Sequence, residues 1–255
     1  MMTGKWSARA AVVARWFGVS RDDLSRTRLS ASSAGAGRIV LGPGEIVLIT
    51  GASGAGKSTL LRRIGARYRR RRRRSHRQWI DLARVRLPAQ VPVIDLIVDA
   101  LCGAREDEGA IIRGLDLLSR LGLGEVWTYL RTPEQLSEGQ RWRLRLGIAL
   151  ARAAAPTPCD APRRRARTTL TVVAADEFCA ALDPVTALVV ARALRRAVDC
   201  GGNVCAVVAT AQENLAPALS PDLVVQCDFG AYQIRAGVKC QTSNAKLERG
   251  GNTSL

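Results

Sequence analysis

Residues Gly51 to Thr59 read GASGAGKST, which satisfies the pattern G-x-x-x-x-G-K-[ST] without a mismatch. Upstream, Gly44 to Thr50 (GEIVLIT) is a short β-rich apolar run. Downstream, Leu60 to Tyr68 (LLRRIGARY) has the leucines, alanine and arginines of a helix. Strand, glycine loop, helix is the order this loop needs. Gly51, Gly54 and Gly56, with Ala52, Ser53 and Ala55 between them, allow the backbone to curl until successive N–H groups face one anion. The helix N-terminus adds favourable partial charge, and Lys57 reaches the outer phosphates. The Ser58 hydroxyl, next to Thr59, is placed to ligate Mg²⁺ together with phosphate oxygens. A chance glycine-rich turn would lack the two flanking elements, so the segment predicts a nucleoside triphosphate site.

The loop alone does not give the class of nucleotide enzyme. Leu136 to Ala151 (LSEGQRWRLRLGIALA) opens on Leu-Ser-Glu-Gly-Gln and continues as a helix. Thr169 to Phe178 (TLTVVAADEF) is an apolar strand ending in Asp176-Glu177, and Ala180 to Pro184 (AALDP) follows it. In this order the three blocks resemble the ATP-binding cassette (ABC) ATPases of the P-loop NTPase superfamily. LSEGQ is similar to the family signature LSGGQ with Glu138 in place of glycine. The Asp-Glu pair resembles the Walker B strand end, and AALD resembles the D-loop. The resemblance runs from Val40 to Val225 and is also similar to stand-alone ABC ATPases unattached to permeases. It implies an α/β fold, a mostly parallel sheet flanked by helices with an inserted helical subdomain. Alternation of β-rich and helical stretches independently argues for such a sheet.

Asp176 closes an apolar strand, at the sheet edge where open α/β folds bind ligands. It is expected to hold the Mg²⁺ shell, directly or through water. Glu177 would polarise the attacking water as general base, worth roughly 10²–10⁴-fold in rate. Ser137 offers a hydroxyl and Gly139 a backbone N–H at a helix N-terminus, with Glu138 and Gln140 beside them. Ser137 also suits a plain N-cap with Gln140 at N3. The resemblance implies that this signature meets the ATP of an opposite subunit, in a head-to-tail homodimer with two-fold symmetry. It further implies that Asp183 shapes the dimer contact.

Two family positions are less direct. Gln90, between Pro88 and Pro92, is the match for the glutamine that senses the γ-phosphate and helps to hold the metal. The adenine-stacking aromatic falls on Phe17 or Trp16 in ARWFGVS, and either residue also suits a core. One departure is sharp: the family's histidine position, after the strand that follows the D-loop helix, is Gln212 here. The single histidine, His76, lies in an arginine run. Glutamine donates and accepts hydrogen bonds but carries no proton near neutral pH. Hydrolysis is therefore expected to persist through Glu177 and to be slow, with ATP and Mg²⁺ as the implied ligands.

With 255 residues, the chain is long enough for one sizeable core or a core with a small subdomain. The division read from it is an N-terminal segment 1–38, an ABC ATPase domain 39–235 with its helical subdomain at about 92–152, and a mobile tail 236–255. Strands are expected at Ile39 to Leu41, Ile46 to Ile49, Leu170 to Ala174, Val204 to Ala209 and Leu223 to Gln226. A helix over Thr186 to Cys200 is expected to point Arg192, Arg195 and Arg196 outward and to stop at Gly201-Gly202. No apolar run reaches the ~18–20 residues that cross a bilayer, and the N-terminus lacks a signal-peptide pattern. The cysteines number 7 without a C-x-x-C pair, a usage that fits reduced thiols and a cytoplasmic setting.

Net charge is +17, extreme for a plain metabolic ATPase. Arg69 to Arg74 are consecutive arginines, and Arg163, Arg164, Arg165 and Arg167 form a second cluster. A solvated charged face is one reading. Backbone-directed binding of nucleic acid or another polyanion is the other. Three functions stay open at this level: a soluble ABC ATPase acting on nucleic acid, the nucleotide-binding subunit of a membrane transporter with a separate permease, and an ATP-gated binding module.

Overall fold

The computed structural model describes residues 11–12, 15–16, 39–71, 77–103, 108–155, 169–229 and 231–237. Phe17, His76, Arg72 to Arg74, the second arginine cluster, most of segment 1–38 and nearly all of the tail lie outside the described residues.

The apolar run Ile46–Thr50 forms β1 and is buried throughout. Ile46 and Leu48 pack into one hydrophobic cluster, Val47 and Ile49 into another, because successive strand side chains point to opposite faces. Leu170–Ala175 (β3) and Val204–Ala209 (β4) are likewise buried end to end. Burial on both faces is the mark of a parallel sheet covered on both sides. Arg77–Asp81 (β2), Leu223–Asp228 (β5) and Ala231–Ala236 (β6) complete a sheet of order β2-β3-β4-β1-β5-β6. All neighbours are parallel except β5 and β6.

One face is covered by α1 (Lys57–Arg71), which buries Leu60, Leu61, Ile64 and Tyr68 along a single helical stripe. The other carries α2 (Val93–Cys102), α3 (Glu108–Arg120), α4 (Val126–Leu130) and α5 (Glu138–Ala154), all between β2 and β3 in the chain. α6 (Pro184–Cys200) and α7 (Ala216–Leu219) follow. Leu96, Leu118, Leu144 and Val190 from α2, α3, α5 and α6 share one core with Leu48 and Val173 of the sheet.

Three expectations change. Ile39 to Leu41 is not a strand. Leu41 is instead a buried anchor whose N–H donates to the Tyr68 hydroxyl at 3.0 Å. β2 and β6 were not foreseen: both are outer strands whose polar residues break the apolar signal that marks the central ones. Arg195 does not face outward. It is 8% exposed and bonds Asp199 at 2.8 Å, Asp222 at 3.0 Å and the Gly44 carbonyl. The guanidinium thereby ties α6 to the segments that enter β1 and β5. Arg192 and Arg196 are exposed as expected.

Candidate active site

β1, β4 and β3 lie side by side in parallel, so their C-terminal ends meet at one edge. Backbone bonds fasten the three exits together: Thr210 N–H to the Ile49 carbonyl (3.0 Å) and Phe178 N–H to the Ala209 carbonyl (2.8 Å). A cleft of about 540 Å³ opens there.

The glycine loop follows β1. Gly51 has φ 137°, and a Cβ on it would stand 2.2 Å from the Cys227 carbonyl oxygen, so only glycine fits against β5. Lys57 Nζ donates to the carbonyls of Gly51 and Ala52, both at 2.7 Å, which fixes the ammonium at the loop. α1 begins at Lys57, and the first N–H groups of a helix have no partner within it. These donors and the Lys57 cation converge on the cleft. Ser53, Gly54, Gly56, Lys57, Ser58 and Thr59 line it, while Ala55 is buried beneath.

The opposite wall comes from β3. Asp176 Oδ1 accepts from the Ser58 hydroxyl at 3.0 Å and from the Glu177 N–H at 3.1 Å. Glu177 is exposed on the cleft wall at φ 49°. Gln212, leaving β4, also lines the cleft. Its N–H donates to Thr210 Oγ1 (3.1 Å) and its Nε2 to the Cys179 carbonyl (3.4 Å). Thr210 was missed by sequence reading although it also lines the cleft. It is 2% exposed and donates its hydroxyl to the Phe178 carbonyl at 3.1 Å. The signal was present, since it is the first polar residue after the all-apolar run VCAVVA.

The remaining predicted residues lie elsewhere. Ser137 caps α5: its Oγ accepts from Gln140 N–H at 3.2 Å, and Gln140 Oε1 accepts from Ser137 N–H at 3.0 Å. This reciprocal pair satisfies the helix end and leaves Ser137 and Glu138 exposed. Gly139 sits against the D-loop, where a Cβ would come within 3.0 Å of Leu182 Cδ2. Asp183 caps α6 by accepting from Val185 and Thr186 N–H at 3.1 and 2.9 Å. Hydrogen bonds from Thr186 hold its carboxyl below the usual range. None of these lines the cleft of its own chain. Gln90 lies outside the residues that line the cleft, and its amide reaches Glu134 at 3.4 Å. The flanking prolines made the loop but not its direction. Trp16 is exposed.

Comparison with known proteins gives the family. The ABC transporter family model matches residues 38–162. The lipoprotein-releasing system ATP-binding protein LolD 1 of Rhodospirillum rubrum is 31% identical over 199 residues, covering 70% of this chain and 80% of the relative. The chain belongs to the ABC ATPase family. The fold agrees with that of the dimeric cassette MJ0796 bound to ADP and Pi, at TM-score 0.57 and 22% identity over 78% of this chain and 88% of that one. An ATP-binding subunit of an ABC transporter matches at TM-score 0.53 and 17% identity, over 81% and 85%. The family binds and hydrolyses ATP, so this cassette is an ATP hydrolase.

For a metal, the cassette offers oxygen donors. The Ser58 hydroxyl and the Asp176 carboxylate already face each other across the cleft, a donor set that fits a small hard cation such as Mg²⁺. Among the described residues no helix is long and apolar enough to cross a membrane.

Proposed function

We propose that this cassette is the nucleotide-binding subunit of an ABC membrane transporter, working as an ATP-sandwich dimer beside a separate permease. The observation that carries the catalytic part is the meeting of Ser58, Asp176, Glu177 and Gln212 with the glycine loop on one cleft. The LolD relative, named as an ATP-binding protein of a lipoprotein-releasing system, supports the transporter part. It favours that reading over a nucleic-acid enzyme. Arg69 and Arg70 are exposed on α1, and a charged helix face alone does not identify a partner.

In this reading, loop N–H groups and Lys57 hold the β- and γ-phosphates. Ser58 and Asp176 would hold Mg²⁺, which supplies charge neutralisation to the triphosphate. Glu177 takes a proton from the attacking water as its oxygen bonds to the γ-phosphorus, and the bridging oxygen leaves with ADP. Gln212 orients that water by hydrogen bonding and contributes no proton transfer. Ser137, Glu138, Gly139 and Gln140 face the partner's ATP, with Asp183 at the seam between subunits. The units 39–235 and about 92–152 are then the ATPase domain and its helical insert.

Turnover of the purified chain with and without DNA or RNA tests the choice of partner. Glu177→Gln chromatographed with ATP tests the sandwich. A nucleotide-dependent dimer and turnover indifferent to nucleic acid are expected. Turnover that rises with nucleic acid and weakens between 50 and 200 mM salt would overturn the transporter reading.

A further inference from the structure

Phe178 sits between two residues in the left-handed region, Glu177 at φ 49° and Cys179 at φ 61°. Non-glycine residues stay there only when their surroundings hold them. Phe178 supplies the hold. It is wholly buried, and its backbone is pinned on both sides by Ala209 and Thr210. Its ring meets the edge of Trp142 with centroids 5.5 Å apart and planes at 72°, a favoured aromatic geometry.

Trp142 belongs to α5, whose N-terminus carries the signature. Gly139 and Trp142, three residues apart, share one helix face. Gly139 abuts Leu182 as Trp142 abuts Phe178. α5 therefore rests at two points on the 178–182 segment, which follows Glu177 in the chain.

We infer that Trp142 is a positioning residue: through Phe178 it fixes the backbone at Glu177, so that seating of the signature helix on a nucleotide sets the carboxylate for reaction. This rests on the reading of Glu177 as general base. Truncating Trp142 frees Phe178 to shift, and a misplacement of about 1 Å at a reacting group costs roughly 10²-fold. Nucleotide binding in the same chain is untouched, because neither ring lines the cleft.

The test measures ATP turnover, KM for ATP and thermal midpoint for the full chain and for Trp142→Leu, Trp142→Phe and Glu177→Gln. Trp142→Leu is expected to lower kcat about 10- to 100-fold with KM within about twofold. Trp142→Phe, which keeps an aromatic edge, is expected to restore most of it. A kcat for Trp142→Leu equal to that of the unaltered chain, with Glu177→Gln inactive, overturns the role of Trp142 and leaves that of Glu177. A Trp142→Leu protein that loses ATP affinity in proportion to kcat, unrescued by Phe, also overturns it, as general loosening would. Glu177→Gln as active as the unaltered chain removes the reading beneath it.

Discussion

The Ser58 hydroxyl donates to Asp176 Oδ1 at 3.0 Å although 118 residues separate them. Two strand exits are brought together by β4 between them. On the proposed reading the pair is a metal-holding set, so either loss should affect Mg²⁺-dependent turnover without unfolding the protein. Asp176→Asn is expected to lower kcat by roughly 10²-fold or more. Ser58→Ala, which keeps the carboxylate, should cost less and raise the Mg²⁺ concentration needed for half-maximal rate. A Mg²⁺ titration of turnover checks both, and an unchanged titration in Ser58→Ala would count against the assignment.

Gln212→His should raise turnover. Imidazole restores a group that exchanges protons near neutral pH, at a position on the cleft wall. The gain is expected to be on the order of tenfold, below that of a full general base. A steady-state rate at pH 7.5 that stays level or falls would show that the glutamine is not the feature limiting hydrolysis.

Asp222→Ala tests the Arg195 clamp. Asp222 Oδ2 accepts from Arg195 and from the Ile46 N–H at 2.8 Å, so its removal leaves a buried cation and a β1 amide short of partners. A loss of about 3 kcal/mol is expected, read as a lower urea midpoint. An effect under about 0.5 kcal/mol, ordinary for a surface change, would contradict the clamp.

Alkaline pH should destabilise the fold. Burial pushes the Cys179 and Cys205 thiols from 9.0 up to about 12. Above pH 9 the unfolded thiols lose protons that the folded ones keep, so stability present below pH 9 is lost as pH rises towards 12. The slope is up to about 1.4 kcal/mol per pH unit for each thiol. Urea midpoints at pH 8, 9 and 10 should fall, and Cys205→Ala should flatten the fall.

What the sequence made legible follows from how each feature is encoded. The loop, the Asp176-Glu177 strand end and the helix after Ser137 are local and could be read from adjacent residues. The central strands announced themselves by unbroken apolar runs because both their faces are buried. β2 did not, since its Arg77, Gln78 and Asp81 interrupt the apolar run and, among the described residues, it pairs with β3 alone. Arg195 was misread because helical spacing gives a direction but not what stands there; Asp222 lies 27 residues on. Gln90 lies off the cleft, and the sequence does not encode where it reaches. Its prolines fix a loop locally, while its contact with Glu134 in the Pro133–Gln135 turn joins residues 44 apart in the chain.

The most direct test of the account is steady-state ATP hydrolysis by the chain beside Glu177→Gln, with ATP affinity measured on both. Turnover at least about 10²-fold lower in the variant, with ATP affinity preserved, is the predicted result. Equal turnover in the two proteins would contradict the assignment of this cleft's chemistry to Glu177.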